Sequence, residues 1–167
     1  MNRLFHFPNP INEYAARWVA GMVSALALAF LITGSPWLLI AIGYGFLARV
    51  ATGPTLSPVG LLVVNVIIPL FHNPQKPVPG PPKRFAQAVG LVFSSLAMIA
   101  LFGGGSLVVA RYIVSVLTLF AAMEAFLGFC AGCFVFGHLM RWGIIPVSVC
   151  EACVVNPHSI SSNQRMS

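Results

Sequence analysis

The sequence predicts an all-α membrane protein: four transmembrane helices as two hairpins, with an interfacial or re-entrant segment between them. Three observations predict it. Of 167 residues 58% are hydrophobic and only 7% charged, where a soluble domain carries about 25% charged residues. The apolar residues fall into four long runs with very short breaks inside each pair. The basic residues stand almost entirely at one end of those runs.

The first run, 18–32, follows Asn12, Glu13 and Arg17. Glu13 in the leading region and the lack of an Ala-x-Ala cleavage site argue for a retained span rather than a cleaved signal peptide. Thr33-Gly34-Ser35 breaks the chain, and Pro36, suited to a helix first turn, opens the second run, 36–50. The third, 88–102, ends at Gly103-Gly104-Gly105-Ser106. A span needs about 20 residues, so these three are short and are expected to stand nearly upright or in a thinned bilayer. The fourth runs 107–129 and stays apolar to Trp142, so its helix is expected to project beyond the membrane. Between the hairpins, 59–71 is apolar but too short to span, and reads as a buried or interfacial helix. The prolines at 74, 77, 79, 81 and 82 are expected to keep the following chain extended. Residues 143–167 form a tail, and the whole chain, 1–167, reads as one membrane domain.

The formal charge is +6, from 9 Lys+Arg against 3 Asp+Glu. Here that excess reports topology rather than nucleic-acid binding. Arg3, Arg17, Arg49, Lys76, Lys83, Arg84, Arg141 and Arg165 lie at the end opposite the hairpin tips, with only Arg111 near a tip. The positive-inside rule then places both termini and the central loop in the cytoplasm of a bacterial inner membrane. Trp18, Trp37 and Trp142 fall at expected interfaces, as belt residues do. The similar starts of the two hairpins, at Gly21 and Gly90, form a weak parallel repeat.

Chemistry concentrates in four cysteines, Cys130-x-x-Cys133 and Cys150-x-x-Cys153. On a continuous fourth helix the first pair shares a face, roughly 34 Å from Leu107 at helical rise, hence near the cytoplasmic boundary. Gly128 and Gly132 would form a small-xxx-small contact on the same helix. Free Cys is often simply a small buried packing residue, but the paired spacing supports two chemical readings. In one, the pairs cycle between dithiol and disulfide, since thiolates in C-x-x-C motifs are favoured by helix N-termini and nearby cations. In the other, four thiolates hold a structural zinc or iron. Glu124, the lone acid within a span, either serves function or pairs with a neighbouring cation, and His138 reads as a surface side chain.

The segments Thr52–Gly60, Gly80-Pro-Pro-Lys-Arg-Phe-Ala-Gln-Ala-Val-Gly90, Gly128-Phe-Cys-Ala-Gly-Cys133 and Val149-Cys-Glu-Ala-Cys153 together resemble a bacterial membrane family known as a domain of unknown function (number forty-three ninety-five). The resemblance runs from about Asn12 to Asn156. It implies a four-helix membrane protein with a thiol pair on its last span, and partners of the thioredoxin-like or sulfurtransferase kind, near which such proteins are often encoded. Glu124 stands where the resemblance leads one to expect Asn.

These observations lead to a thiol–disulfide or sulfur-relay protein at the cytoplasmic face, with Cys130 and Cys133 reacting and Cys150 and Cys153 resolving or delivering. The alternative is a non-enzymatic accessory subunit of a membrane complex holding a four-cysteine zinc or iron site. A carrier of small anionic sulfur compounds, entered past Arg49, Lys83 and Arg84, ranks third.

Overall fold

In the computed structural model the residues described are 10–53, 56–72, 76–146 and 149–150. A two-residue strand β1 (Ile11–Asn12) leads into α1 (Glu13–Thr33), whose N-cap is the Asn12 side chain. The first hairpin is closed by Gly34, which takes φ +67° and donates back to the Phe30 carbonyl before Pro36 starts α2 (Pro36–Thr52). A left-handed residue ends a helix most cheaply when it is glycine.

A short helical segment follows. It consists of α3 (Pro58–Leu62), a widened π turn at Val63–Ile67, and α4 (Ile68–Leu70). The widening has a covalent cause: Pro69 has no N–H for a normal helical bond and its ring crowds the carbonyl four residues back. The Ile68 amide reaches five residues back, to Val63. One face of the segment, with Val63 and Ile68, is buried, while Leu61, Leu62, Val66, Leu70 and Phe71 are exposed.

Strand β2 (Pro77–Val78) pairs antiparallel with β1, Ile11 opposite Val78. This ribbon ties the entry of α1 to the entry of α5 (Gly80–Met98). The extended run expected over the prolines is therefore corrected at its end. Pro81 and Pro82 lie in the first turn of α5, where a missing N–H costs nothing. Pro74 lies outside the described residues. A π turn at Ile99–Gly103 ends the helix, and α6 (Leu107–Leu127) returns antiparallel to it, N-capped by Ser106.

The four long helices form a closed ring in which α1 packs on α6, α6 on α5, α5 on α2 and α2 on α1. Three are long and apolar enough to cross a membrane, Glu13–Thr33, Gly80–Gly103 and Leu107–Leu127; Pro36–Thr52 is apolar but shorter. The protein is thus an all-α, multi-pass membrane protein. The helices of the first and third runs are longer than the apolar stretches suggest, because Glu13, Arg17, Lys83 and Arg84 occupy their first turns or the turn after. The tip half of the bundle is tightly filled: Ala27, Phe30, Leu39, Ala97, Ala110 and Val114 are inaccessible.

The expectation of one continuous fourth helix is overturned. Helix α6 stops at Gly128, φ +69°, and a separate α7 (Ala131–Arg141) runs on from it, packed against α5. The Gly128 and Phe129 amides bond back to Glu124 and Met123, and Arg17 of α1 donates to the carbonyls of Ala125 (3.2 Å) and Phe126 (2.8 Å). Four consecutive carbonyls are thereby satisfied without another helical turn. Gly128 is a cap, not half of a small-xxx-small contact. Gly132 does permit close approach: a Cβ there would lie 2.6 Å from the Ala86 Cα of α5.

That contact gives a matched pair of variants. Gly132→Ala collides with helix backbone and is expected to cost about 1–3 kcal/mol, as overpacking does. Gly137→Ala, with open space around it, should be neutral or gain up to about 1 kcal/mol from helix propensity. Thermal unfolding of both in detergent checks the ordering; equal midpoints would refute the α5–α7 contact.

Candidate thiol site at the basic end of the bundle

The break at Gly128 places Cys130 immediately ahead of a helix. Its backbone is extended (φ −95°, ψ 105°), and its Sγ accepts the Cys133 backbone N–H at 3.3 Å. Cys130 is the N-cap of α7 and Cys133 sits in its first turn. The two cysteines therefore do not share a face of one long helix, as a continuous fourth span would require. They meet as cap and third residue, the arrangement in which a helix N-terminus presents free N–H groups to a negative atom. Ser, Thr, Asp and Asn are the usual N-caps, so a cysteine in that place carried no cap signal in the sequence. Gly128, a lone glycine inside an apolar run, was the one signal for the break.

Both thiols are free; Cys130 is buried and Cys133 half-buried. A hydrogen bond from the Cys133 thiol is the largest influence on Cys130 and holds it below the ordinary cysteine range. Burial and Glu124 oppose that shift, while Lys83 and the Cys133 amide add to it. The same thiol–thiol bond, burial and the charge on Cys130 push Cys133 far up. One proton is shared unequally by two sulfurs, so the first ionisation falls on Cys130.

Behind the pair stands an ion pair linking two helices. Lys83 Nζ of α5 lies 2.6 Å from Glu124 Oε1 of α6, with both side chains largely buried. Glu124 thus pairs with a neighbouring cation, at the site's edge. Arg49 of α2 is 5% exposed; its Nε donates to Gln87 Oε1 at 2.8 Å, its Nη1 donates to Ser57 Oγ at 3.5 Å, and its guanidinium sits 4.7 Å from the Phe46 ring centroid. Sequence reasoning treated Arg49 as a topology charge, and as an entry residue in the third-ranked carrier reading, and missed its place in the bundle interior.

A cavity of about 250 Å³ opens at this end between α1, α2, α5, α6 and α7. Its walls are mostly apolar, and Arg49, Gln87, Glu124 and Cys130 supply its polar edge. The tip half is solid and the basic half is hollow.

The second pair is described only in part. Cys150 is buried and is held in a disulfide; Cys153 lies outside the described residues. In that oxidised form Cys150 offers no thiolate to a metal. Among the described residues no group of three or more His, Cys, Asp or Glu is arranged to hold one. His138, on α7, bonds the Phe134 carbonyl through Nδ1, and its ring lies tilted by 46° against the Phe134 ring.

The unequal sharing of the proton can be read directly. A small thiol reagent such as methyl methanethiolsulfonate is expected to modify Cys130 before Cys133 in the reduced protein. The Cys130 rate should hold up as pH falls below the usual thiol value of about 8.5. Mass mapping of the two sites against pH checks this, and equal rates with one ordinary titration would contradict it.

The model of a family described as a domain of unknown function, DUF4395, matches residues 11–141. No curated protein and no solved structure matches the chain. The match takes in every element from β1 to α7, with Cys130 and Cys133, and ends before Cys150, short of the extent expected from the sequence. Covering most of the 167 residues, it establishes that the chain belongs to the DUF4395 family.

Proposed function

We propose that this protein carries out thiol–disulfide exchange, or the closely related relay of sulfur, at the cytoplasmic face of a bacterial inner membrane. In this reading α2 is a fourth span. Its 17 residues rise about 25 Å, within reach of a hydrocarbon core of about 30 Å given local thinning. Arg17, Arg49, Lys76, Lys83, Arg84 and Arg141 then face the cytoplasm, as the positive-inside rule requires.

The observation that carries the reading is Cys130 as the cap of α7, receiving hydrogen bonds from both the amide and the thiol of Cys133. A nucleophilic cysteine must be ionised, and a helix N-terminus favours the thiolate. The Cys130 thiolate attacks one sulfur of a partner's disulfide, forming a mixed disulfide and releasing the partner's other sulfur as thiolate. Cys133 gives up its proton to that thiolate and attacks the Cys130 sulfur. The Cys130–Cys133 disulfide forms and the partner leaves with one thiol and one thiolate, the latter taking its proton from solvent, so two electrons have passed to it. Read in reverse, the same steps oxidise a partner. A thioredoxin-like protein, or a sulfurtransferase for the sulfur-relay form, is the partner class that matches this chemistry. Cys150, already in a disulfide, and Cys153 would act as a second couple passing electrons or sulfur to the first.

The roles assigned to the two cysteines differ, and that difference is testable. With Cys133→Ser, the mixed disulfide on Cys130 cannot be resolved and should accumulate with an oxidised thioredoxin-like protein. With Cys130→Ser no adduct should form, and with the native pair it should be transient. Non-reducing gels with mass identification of the linked residue read the result. Adducts of equal yield on either cysteine, or none on any variant, would remove the proposal.

A further inference from the structure

A dithiol that changes oxidation state needs a second partner to return it to its starting state, and the cavity beside Cys130 points to what that partner is. We infer that the cavity at the basic end binds the ring of a lipid-soluble quinone, which accepts two electrons from Cys130 and Cys133. The inference rests on the dithiol reading above.

Four observations argue for it. The size fits: a protein cavity of about 150 Å³ accepts benzene, and this one, at about 250 Å³, has room for a single substituted ring. The walls fit: the rings of Phe46, Phe85, Phe93 and Phe120 line it together with small aliphatic side chains. The polar edge fits: a quinone offers only acceptors, and Arg49 at the cavity wall offers only donors. Among the described residues Arg49 forms no ion pair with a carboxylate, so its charge is not already neutralised by contact. Finally, the placement fits, because α1, α5 and α6, three of the helices around the cavity, are long and apolar enough to cross a membrane, the solvent in which a ring on an apolar tail dissolves.

The step balances without another reactant. The Cys130 thiolate adds to the quinone ring as a transient adduct. Cys133, losing its proton, attacks the Cys130 sulfur and displaces the reduced ring. The Cys130–Cys133 disulfide forms, and the quinone takes two electrons and two protons, one from Cys133 and one from solvent, to leave as quinol. Arg49, donating to a ring carbonyl, would stabilise the negative charge that grows on that oxygen as the sulfur bond forms, as an oxyanion donor does.

The test uses the full chain in lipid nanodiscs, reduced and kept anaerobic, with a fully substituted benzoquinone bearing a decyl tail. The expected result is one Cys130–Cys133 disulfide and one quinol per chain. Arg49→Gln and the cavity-filling Ala121→Leu should each raise the quinone concentration for half-maximal rate by tenfold or more. The native chain is tested in parallel with a thioredoxin-like disulfide. If it exchanges with that disulfide but the quinone leaves both thiols reduced, the quinone site is refuted and the dithiol function stands. If neither oxidant acts, both readings fall. If the quinone oxidises the native chain and both variants at the same half-maximal concentration, oxidation does not pass through this cavity and the inference is likewise overturned.

Discussion

Helix ends are the costly part of a membrane bundle. The last carbonyls of a helix have no partner within it, and lipid supplies none. In this protein arginines of neighbouring helices supply them. Arg17 of α1 donates to the end of α6, Arg84 of α5 donates to Val50 near the end of α2 at 3.1 Å, and Arg111 of α6 reaches Ile32 near the end of α1 at 3.5 Å. Each bond joins two antiparallel neighbours and brings a positive charge to the negative end of a helix dipole. The ring of helices and the ends of its members are therefore specified by the same residues.

The capped end of α6 has the largest consequence. Because Arg17 and the Gly128 turn finish α6 there, the chain can restart as α7 with Cys130 at its head. Had the helix continued, Cys130 would be an interior residue whose sulfur meets no free amide. Stopping it creates the cap, brings Cys133 into bonding range, and sets the pair beside the Lys83–Glu124 ion pair. Gly132 then lets α7 lie close on α5, closing one wall of the cavity. The tip half, without such demands, packs solid around Phe30, Leu39 and Val114. The bundle thus divides into a filled half and a half with a cavity at the candidate site.

Much of this architecture was legible from composition and punctuation. The Thr33-Gly34-Ser35 and Gly103–Gly105 breaks mark two tight hairpins because little else fits between apolar runs so close together. The basic residues gather at the end opposite the hairpin tips, where the helix entries and the α7 break lie. What escaped was set by tertiary contact. Nothing about Arg17 alone says that it will meet Ala125 and Phe126, over a hundred residues away. The β1–β2 ribbon is too short to leave an alternating pattern. Pro81 and Pro82 looked like breakers because the first helical turn, where they are harmless, is recognised only once its start is known. Of the candidate site, the Cys130–Cys133 pair was visible from its spacing, but its geometry was misread. An apolar sequence running through Gly128 to Trp142 gave no reason to stop a helix except the glycine itself. Arg49 and the cavity were invisible, since a basic residue at a span's end reads first as topology.

The central claim is that Cys130 and Cys133 form a working dithiol and not half of a metal cage. The measurement that tests it most directly is a redox titration of the purified chain, prepared anaerobically in graded thiol–disulfide buffers, with alkylation and metal analysis on the same samples. The account expects Cys130 and Cys133 to oxidise together in one reversible two-electron transition, at a potential within the range of cellular dithiol proteins, about −120 to −270 mV, with no stoichiometric metal. One zinc or iron per chain, with all four cysteines protected from alkylation until a chelator unfolds the protein, would contradict it.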